Sequence, residues 1–399
     1  MAELARTIRG ARMRPVRILL LAVLLCGSPP LPAADSVPAP GNVPGADYPR
    51  IGSNLSVTFR LRAPEASQVK LEGGAGLVKA PLDMIRGDEG VWTVTTPPAV
   101  PGFHYYWFNV DSMRVNDSSS YSYFGYGREC GGIDIPEAGV DFYEPKPEVG
   151  RGEVRARWYL SRITGRWRRA FVYTPPGYDQ DAGTRYPVLY LQHGAGENER
   201  GWIEQGRAHF ILDNLIAAGR ARPMILVVDT GYATYAGGST GAGPSPAGPM
   251  RGADAFEEVL LKEIIPMIDA NYRTLIGGEH RAMAGLSMGA AQTLHVALRH
   301  LEHFASIGAM STPPRQGFDP RTAHEGVFRD ADAFNRRVKL LWIGAGTAES
   351  RFHDAASAMH DALEKAGIRH VLYSSPGTDH EWQTWRGSLH DLAPRLFRE

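Results

Sequence analysis

The chain has 399 residues, enough for two or three domains, and its 43% apolar content can fill a sizeable core. Forty-three basic and forty-three acidic residues cancel, so net charge recommends no polyanion partner, and no nucleic-acid partner is expected. Two cysteines, Cys26 and Cys130, are too few for a disulfide framework. Residues 1–34 read as a signal peptide: Arg6, Arg9, Arg12, Arg14 and Arg17 precede the apolar run from Ile18 to Leu25, and Pro29, Pro30, Pro32 and Ala33-Ala34 follow it. The run is too short for a stable membrane span, and Met13 as the start leaves a more usual basic region. A secreted or periplasmic location is expected. Cys26 raises a lipid anchor, against which the bulky Leu25 before it argues. With the leader removed, only Cys130 remains, and it reads as a structural thiol.

Residues 35–50, rich in Pro, Ala and Gly, read as a linker. Over 51–118 short alternating runs follow at Leu55–Arg62, Gln68–Glu72, Gly90–Thr95 and Gly102–Val110, separated by Gly and Pro. That spacing predicts a β-sandwich. Trp92, Tyr105 and Trp107 could stack on sugars, but alternation favours them in the core, with a structural or orienting duty for the module. Residues 119–150 read as a loop-rich connector. From 151 to 399 strands and helices alternate: strands at Glu153–Ser161, Trp167–Thr174, Tyr186–Leu191, Met224–Asp229, His280–Ala284, Phe304–Met310, Val338–Ile343 and Val371–Ser374, with helices at 207–220, Phe256–Ile268, Ala290–Leu298 and 353–366. This pattern predicts an α/β fold with a mostly parallel sheet, helices on both faces, and a site at the strands' carboxyl ends. The segment 236–252, with six glycines and three prolines, is either a mobile rim over that site or a plain surface loop.

Gly285-Leu286-Ser287-Met288-Gly289 reads as G-x-S-x-G between a short apolar strand and a helix, the setting of a nucleophile elbow. The glycines remove side chains that would clash across the tight turn. Acyl transfer by serine needs a base, an acid that orients it, and donors for the oxyanion. In α/β-hydrolases these follow in the order Ser, Asp or Glu, then His. His380 lies in the polar loop after the last strand, and Glu349 follows the strand that ends at Ile343. Asp354, one turn into the next helix, is the rival acid. Asp379 is too close to His380 along the chain to approach Nδ1 well. His193-Gly194-Ala195-Gly196 follows an early strand, so the oxyanion donors are expected to be the backbone N–H groups of Met288 and Ala195. His295, His300, His303, His353 and His360 have no acidic or cysteine partners at ligand spacing, so no metal site and no cofactor is expected. Trp202, Tyr232, Gln292, Trp382 and Trp385 adjoin the strand-end motifs and are the candidate substrate contacts: aromatic walls for a planar acyl group, Gln292 for a sugar or phenol.

These motifs in combination, "YPVLYLQHGAGENERGW", "AGLSMGAAQT", "LWIGAGTAE" and "PGTDHEWQTWR", resemble family 1 carbohydrate esterases, the esterase-D-like α/β-hydrolases. The stretches "VTFRLRAPEASQVKL" and "GVWTVTTPPAVPGFHYYWFNVD" are similar to the immunoglobulin-like modules, related to family 48 carbohydrate-binding modules, that precede many carbohydrate-active enzymes. With the connector, the leading module resembles that of secreted feruloyl and acetylxylan esterases. The resemblance implies Ser287 as nucleophile and His380 as base, with Glu349 where many members carry Asp. It also implies feruloylated or acetylated xylan, or oligosaccharides from it, as substrate. A siderophore or other small-ester hydrolase, and a glycan-binding protein with a retired hydrolase fold, remain alternatives. The sequence sets no oligomeric state.

Overall fold

The computed structural model describes residues 35–237, 253–313 and 317–398. The expected signal peptide, Cys26 within it, and most of the 236–252 segment lie outside the described residues. Among the described residues, no helix is long and apolar enough to cross a membrane.

The first part of the chain forms β1 (Val37–Pro38), β2 (Arg50–Ile51), β3 (Val57–Arg62), β4 (Val69–Gly73), β5 (Leu82–Asp83), β6 (Ile85–Arg86), β7 (Val91–Thr95), β8 (Gly102–Val110), β9 (Met113–Val115), β10 (Ser122–Gly125) and β11 (Arg128–Ile135). They make two antiparallel sheets, ordered β1-β2-β3-β7-β6 and β10-β11-β8-β4-β5, with β9 on β8. The sheets share one core. Val57, Phe59 and Val94 from the first meet Val69, Leu71, Tyr106, Phe108 and Ile133 from the second. Alternation puts every second residue on that shared face. Trp92 is buried in that shared core, whereas Tyr105 and Trp107 are buried on the other face of β8, in the core of the second unit.

Two stretches depart from the sequence expectation. Residues 35–50 are not a bare linker: β1 pairs with β2, matching Val37 with Ile51. Pro38 is tolerated because β1 is an edge strand, where a missing N–H costs no ladder bond. The expected connector, 119–150, carries β10 and β11, and β11 pairs with β8. Its Gly131 and Gly132 look like loop residues, yet they sit in a strand. A Cβ on Gly132 would lie 2.5 Å from the Phe103 ring, and one on Gly131 2.9 Å from the Tyr106 ring. The glycines make room for aromatic neighbours in the sheet.

The rest of the chain builds an eight-stranded mixed sheet from β12 (Glu153–Ser161), β13 (Arg166–Thr174), β14 (Val188–Gln192), β15 (Ile225–Asp229), β16 (Arg281–Leu286), β17 (Ser306–Met310), β18 (Leu340–Gly346) and β19 (Val371–Ser375). Its order is β12-β13-β15-β14-β16-β17-β18-β19. The six strands from β15 to β19 run parallel, and β12 and β13 are antiparallel additions at one edge. Both faces are covered: Val188 and Tyr190 point into one core, Leu189 and Leu191 into the other. This two-sided burial is why these strands read as continuous apolar runs. The expected helix at Phe256–Ile268 exists, but it is interrupted. Helix Ala253–Val259 passes through a wider π turn at Leu260–Ile264 into helix Ile265–Asn271. Pro266 lacks an N–H and its ring would crowd the preceding turn, which the wider turn accommodates. The two units are docked. Asp134 of β11 takes a 2.7 Å hydrogen bond from Arg386 in helix Trp382–Leu392 and lies 2.8 Å from Arg207.

Candidate active site

Ser287 stands between β16 and helix Met288–Arg299, with φ 51° and ψ −113°. An L-residue there is strained, and its neighbours hold it. Its N–H donates to Met310 O at 2.8 Å. A Cβ on Gly285 would come within 2.5 Å of the Gly289 backbone, and one on Gly289 within 2.6 Å of His193 O. Only glycine permits that closeness, which is the physical content of the G-x-S-x-G spacing.

His380 Nε2 lies 3.1 Å from Ser287 Oγ, and His380 Nδ1 lies 2.6 Å from Glu349 Oε2. Glu349 is buried, and its other oxygen accepts from Ser311 Oγ at 2.6 Å and Gly346 N at 2.5 Å. The carboxylate is thus fully engaged and aimed at the imidazole. Asp354 is exposed on the following helix, and Asp379 accepts from the backbone N–H of His380 instead. The imidazole is fixed from both sides: Phe352 stacks on it at 4.1 Å between centroids, and Trp385 meets it edge-on at 5.0 Å. Phe352 and Ser311 escaped the sequence reading because they lie outside every motif and act only through folding.

The loop after β14 carries the second expected oxyanion donor. Buried His193 is held neutral, its pKa pushed down to about 4 by burial. Its Nε2 accepts from Gly231 N at 2.9 Å, so Nδ1–H donates to Gly194 O at 2.8 Å. The Gly196 peptide is gripped at both ends: its N–H donates to the Tyr232 hydroxyl at 2.7 Å, and its carbonyl accepts from Gly127 N–H at 2.8 Å. Ala195 between them borders the pocket beside Ser287. Met288 opens its helix, where the first N–H groups have no intrahelical acceptor. Met288 thus leads the elbow helix, and Ala195 lies on the pocket wall next to the hydroxyl.

A pocket of about 190 Å³ opens onto Ser287. Trp382, Trp385, Leu286 and the Gly194–Glu197 loop form one part of its wall, Gly74, Phe103, His104, Tyr105 and Tyr126 from the leading module another, and Glu381 lies beside His380. The site therefore lies between the two units. Only two of the five candidate substrate contacts, Trp382 and Trp385, face this pocket. Trp202 is fully buried, donates to Gln192 O at 2.9 Å and backs Trp382 edge-on. Gln292 is buried too, and its amide holds Gly231 O at 2.8 Å. Tyr232 faces a neighbouring cleft, not this pocket. Helical geometry turns Trp202 and Gln292 into the layer beneath, whereas Tyr232, in the loop after β15, borders the neighbouring cleft. A larger cleft of about 500 Å³ between Tyr121 and Phe210 is distinct from the pocket at Ser287, and its Arg200 and Arg207 are already paired with carboxylates.

The sequence reading also missed two carboxyl groups at the seam, Glu197 buried and Glu381 half-buried. Glu197 accepts from Tyr105 Oη at 3.0 Å and Gly194 N at 3.2 Å, and burial raises its pKa to about 7. Glu381, next to His380, lies 2.9 Å from Nδ1 of buried His104 and accepts from Gly76 N–H at 3.0 Å. His104 Nε2 sits 2.6 Å from Val100 O, which can only accept, so that nitrogen carries a proton. Burial opposes the imidazolium, but the hydrogen bond and charge of Glu381 outweigh it, and the His104 pKa rises above its ordinary value. A raised folded-state pKa means that the stabilisation is fully present below the unfolded value and is lost as pH rises through the folded one. His104→Ala should therefore lower the melting temperature most below about pH 6.5, the ordinary imidazole value, and the deficit should shrink as the pH rises above it. A thermal-shift series on either side of that pH, on both proteins, checks it.

Comparison with known proteins gives a consistent set of relatives. The sequence profile of the Esterase family matches residues 161–396. A Xylanibacter ruminicola protein named endo-1,4-beta-xylanase/feruloyl esterase is 37% identical over 375 residues, covering 92% of this chain and 48% of its own length. The chain thus spans about half, or less, of the length of the first curated relatives it matches. The solved CE1 ferulic acid esterase of Anaeromyces mucronatus is 29% identical with a TM-score of 0.56, covering 65% of this chain and 96% of that one. A second structure of that enzyme is a complex with ferulic acid. The enterobactin esterase of Shigella flexneri shares the fold over 86% of this chain and 93% of its own, with a TM-score of 0.61 at 16% identity.

Proposed function

Given that the chain belongs to the esterase family and is a carboxylic ester hydrolase, we propose that it is a secreted serine feruloyl esterase acting on ester side groups of xylan. The observation that carries this reading is the continuous line from Ser287 Oγ through His380 to buried Glu349, at the mouth of a pocket walled by aromatic rings. Ser287 attacks the ester carbonyl while His380 Nε2 takes its proton. Glu349 holds the imidazole by Nδ1 and stabilises the imidazolium that forms. The negative charge that develops on the carbonyl oxygen rests on the N–H groups of Met288 and Ala195. His380 then protonates the departing sugar alcohol, and water, activated by the same imidazole, frees the acid from the acyl-serine.

The ring-lined pocket favours a planar hydroxycinnamoyl group over acetyl, because acetyl would leave much of the apolar wall uncovered. The names of the Xylanibacter and Anaeromyces relatives support the same acyl group. The arginine-rich, then apolar, leader supports export. The leading module, with its immunoglobulin-like and family 48-like resemblance, serves here as a structural partner of the active site. Its aromatic residues are spent on the core and on the acyl pocket. Parallel assays on methyl ferulate, acetylated xylan and a siderophore ester test the assignment. Methyl ferulate should give the highest kcat/KM. Faster release from either of the others overturns the acyl assignment while leaving the serine mechanism standing.

A further inference from the structure

β12 and β13 pair along their full nine residues, but β13 meets β15 only from Ala170 to Tyr173, with Ala170 opposite Asp229. β15 ends at Asp229, so the ribbon from Trp158 to Arg169 overhangs the sheet at the carboxyl ends of the parallel strands. That is the edge where Ser287 stands. The underside of the overhang is tied down. Arg168 donates to Asp229 Oδ2 at 2.7 Å, to Tyr232 O at 2.8 Å and, through Nε, to Tyr159 Oη at 2.9 Å. The arm is therefore a fixed feature.

Its other face is unusual. Trp158 is opposite Arg169 and Leu160 is opposite Trp167, which puts all four side chains on one side of the ribbon. Trp158, Leu160 and Trp167 are 58%, 56% and 66% exposed. Scattered single apolar residues on a surface need no explanation, but two indoles and a leucine grouped on a rigid ribbon do. Beside them lies a cleft of about 300 Å³ whose walls mix the indoles with Thr164, Thr230, Glu199 and Tyr232. Arg169 sits 5.4 Å from the centre of the Trp158 ring and is paired with Glu199 at 2.7 Å. A surface meant for another apolar face would not carry this ring of hydroxyl, carboxylate and guanidinium groups. A sugar chain matches it, with C–H faces for the indoles and hydroxyl edges for the polar rim.

The cleft is also in the right place. The loop from Gly194 to Glu199 is its shared wall with the acyl pocket: Ala195 and Glu197 face the pocket, and Glu199 faces the cleft. Tyr232, in the cleft, holds the Gly196 N–H of that loop. A pocket of about 190 Å³ accepts an acyl group, so the alcohol half of a polysaccharide ester must lie outside it, across a nearby surface. We propose that the cleft and the Trp158–Trp167 arm form a subsite for the neutral pentose chain that bears the ester, a reading that rests on the esterase function proposed above.

The test compares Trp158→Ala, Trp167→Ala and the double variant with the parent on methyl ferulate and on a feruloylated arabinoxylo-oligosaccharide. Expected is a fall of about tenfold or more in kcat/KM on the oligosaccharide, carried by KM, with methyl ferulate within about twofold of the parent. Equal rates on both substrates overturn the subsite, and so does an equal loss on both, which would make the arm a support for the fold. A second measurement is independent of catalysis: calorimetric titration of Ser287→Ala, with and without the two tryptophan changes, using unesterified arabinoxylo-oligosaccharide. Binding lost with the tryptophans supports the subsite even if methyl ferulate proves a poor substrate, and tryptophan-independent binding overturns it. If the tryptophan changes instead shift a dimer to a monomer in sedimentation and leave both sugar readouts unmoved, the arm is a self-association face and the proposal falls.

Discussion

Ser287→Ala should reduce kcat on methyl ferulate by about 10⁶-fold while leaving the melting temperature close to that of the parent. The reasoning is local. Removing Oγ deletes the atom that forms the acyl bond, and the remaining oxyanion donors and pocket provide only residual catalysis over water. Alanine is tolerated in the fold because the elbow is held by Ser287 N–H to Met310 O and by the glycine contacts, none of which uses the hydroxyl. The positive φ strains alanine and serine alike. Single-turnover kinetics, together with labelling by a fluorophosphonate probe, reads the result directly. If the variant keeps a tenth of the parent rate, or the parent labels at a residue other than Ser287, the nucleophile has been misassigned.

Glu349→Gln should lower kcat by about 10⁴-fold, whereas Asp354→Asn should leave it within about twofold. Glu349 accepts three hydrogen bonds, from Ser311 Oγ, Gly346 N–H and His380. Glutamine preserves size but must turn an NH₂ towards one of those donors. If it faces His380, it removes the acceptor that selects the useful tautomer, and if it faces Ser311 and Gly346, it sets donor against donor. Either way the imidazolium loses its counter-charge. Asp354 is exposed and is not part of this cluster. A large loss in Asp354→Asn with little change in Glu349→Gln would reverse the assignment of the acid. A pH–rate profile for each variant separates a lost counter-charge from a collapsed loop, since only the former moves the alkaline and acid limbs without altering the circular dichroism spectrum.

Much of the catalytic layout was legible along the chain because it is local. The elbow needs glycine at fixed offsets from the serine, the strands that precede each catalytic loop are buried on both faces, and the loops follow in the order that the parallel sheet imposes. Glu349 was preferred over Asp354 on position alone, and the burial of one and exposure of the other agree with that preference. The candidate substrate residues fared unevenly for a related reason. Trp382 and Trp385 are three residues apart on one helix, and both reach the pocket. Trp202 and Gln292 also adjoin motifs, but they point into the layer beneath, where Trp202 donates to the last carbonyl of β14 and Gln292 to Gly231 in the loop after β15.

The amino-acid sequence by itself singled out Ser287, His380 and the His193–Gly196 loop and narrowed the acid to Glu349 or Asp354, because each of these depends on spacing within a few residues of a turn or a strand end. Only the tertiary structure decided what surrounds the acyl group. Trp382 Nε1 meets the Tyr105 hydroxyl at 3.1 Å across 277 residues of chain, and His104 meets Glu381 in the same seam. Contacts at such separation arise from the way two cores dock. No periodicity of 2 or 3.6 residues carries that information, so it is the docked structure that brings Gly74, Phe103, His104, Tyr105 and Tyr126 of the leading module into the wall of the pocket.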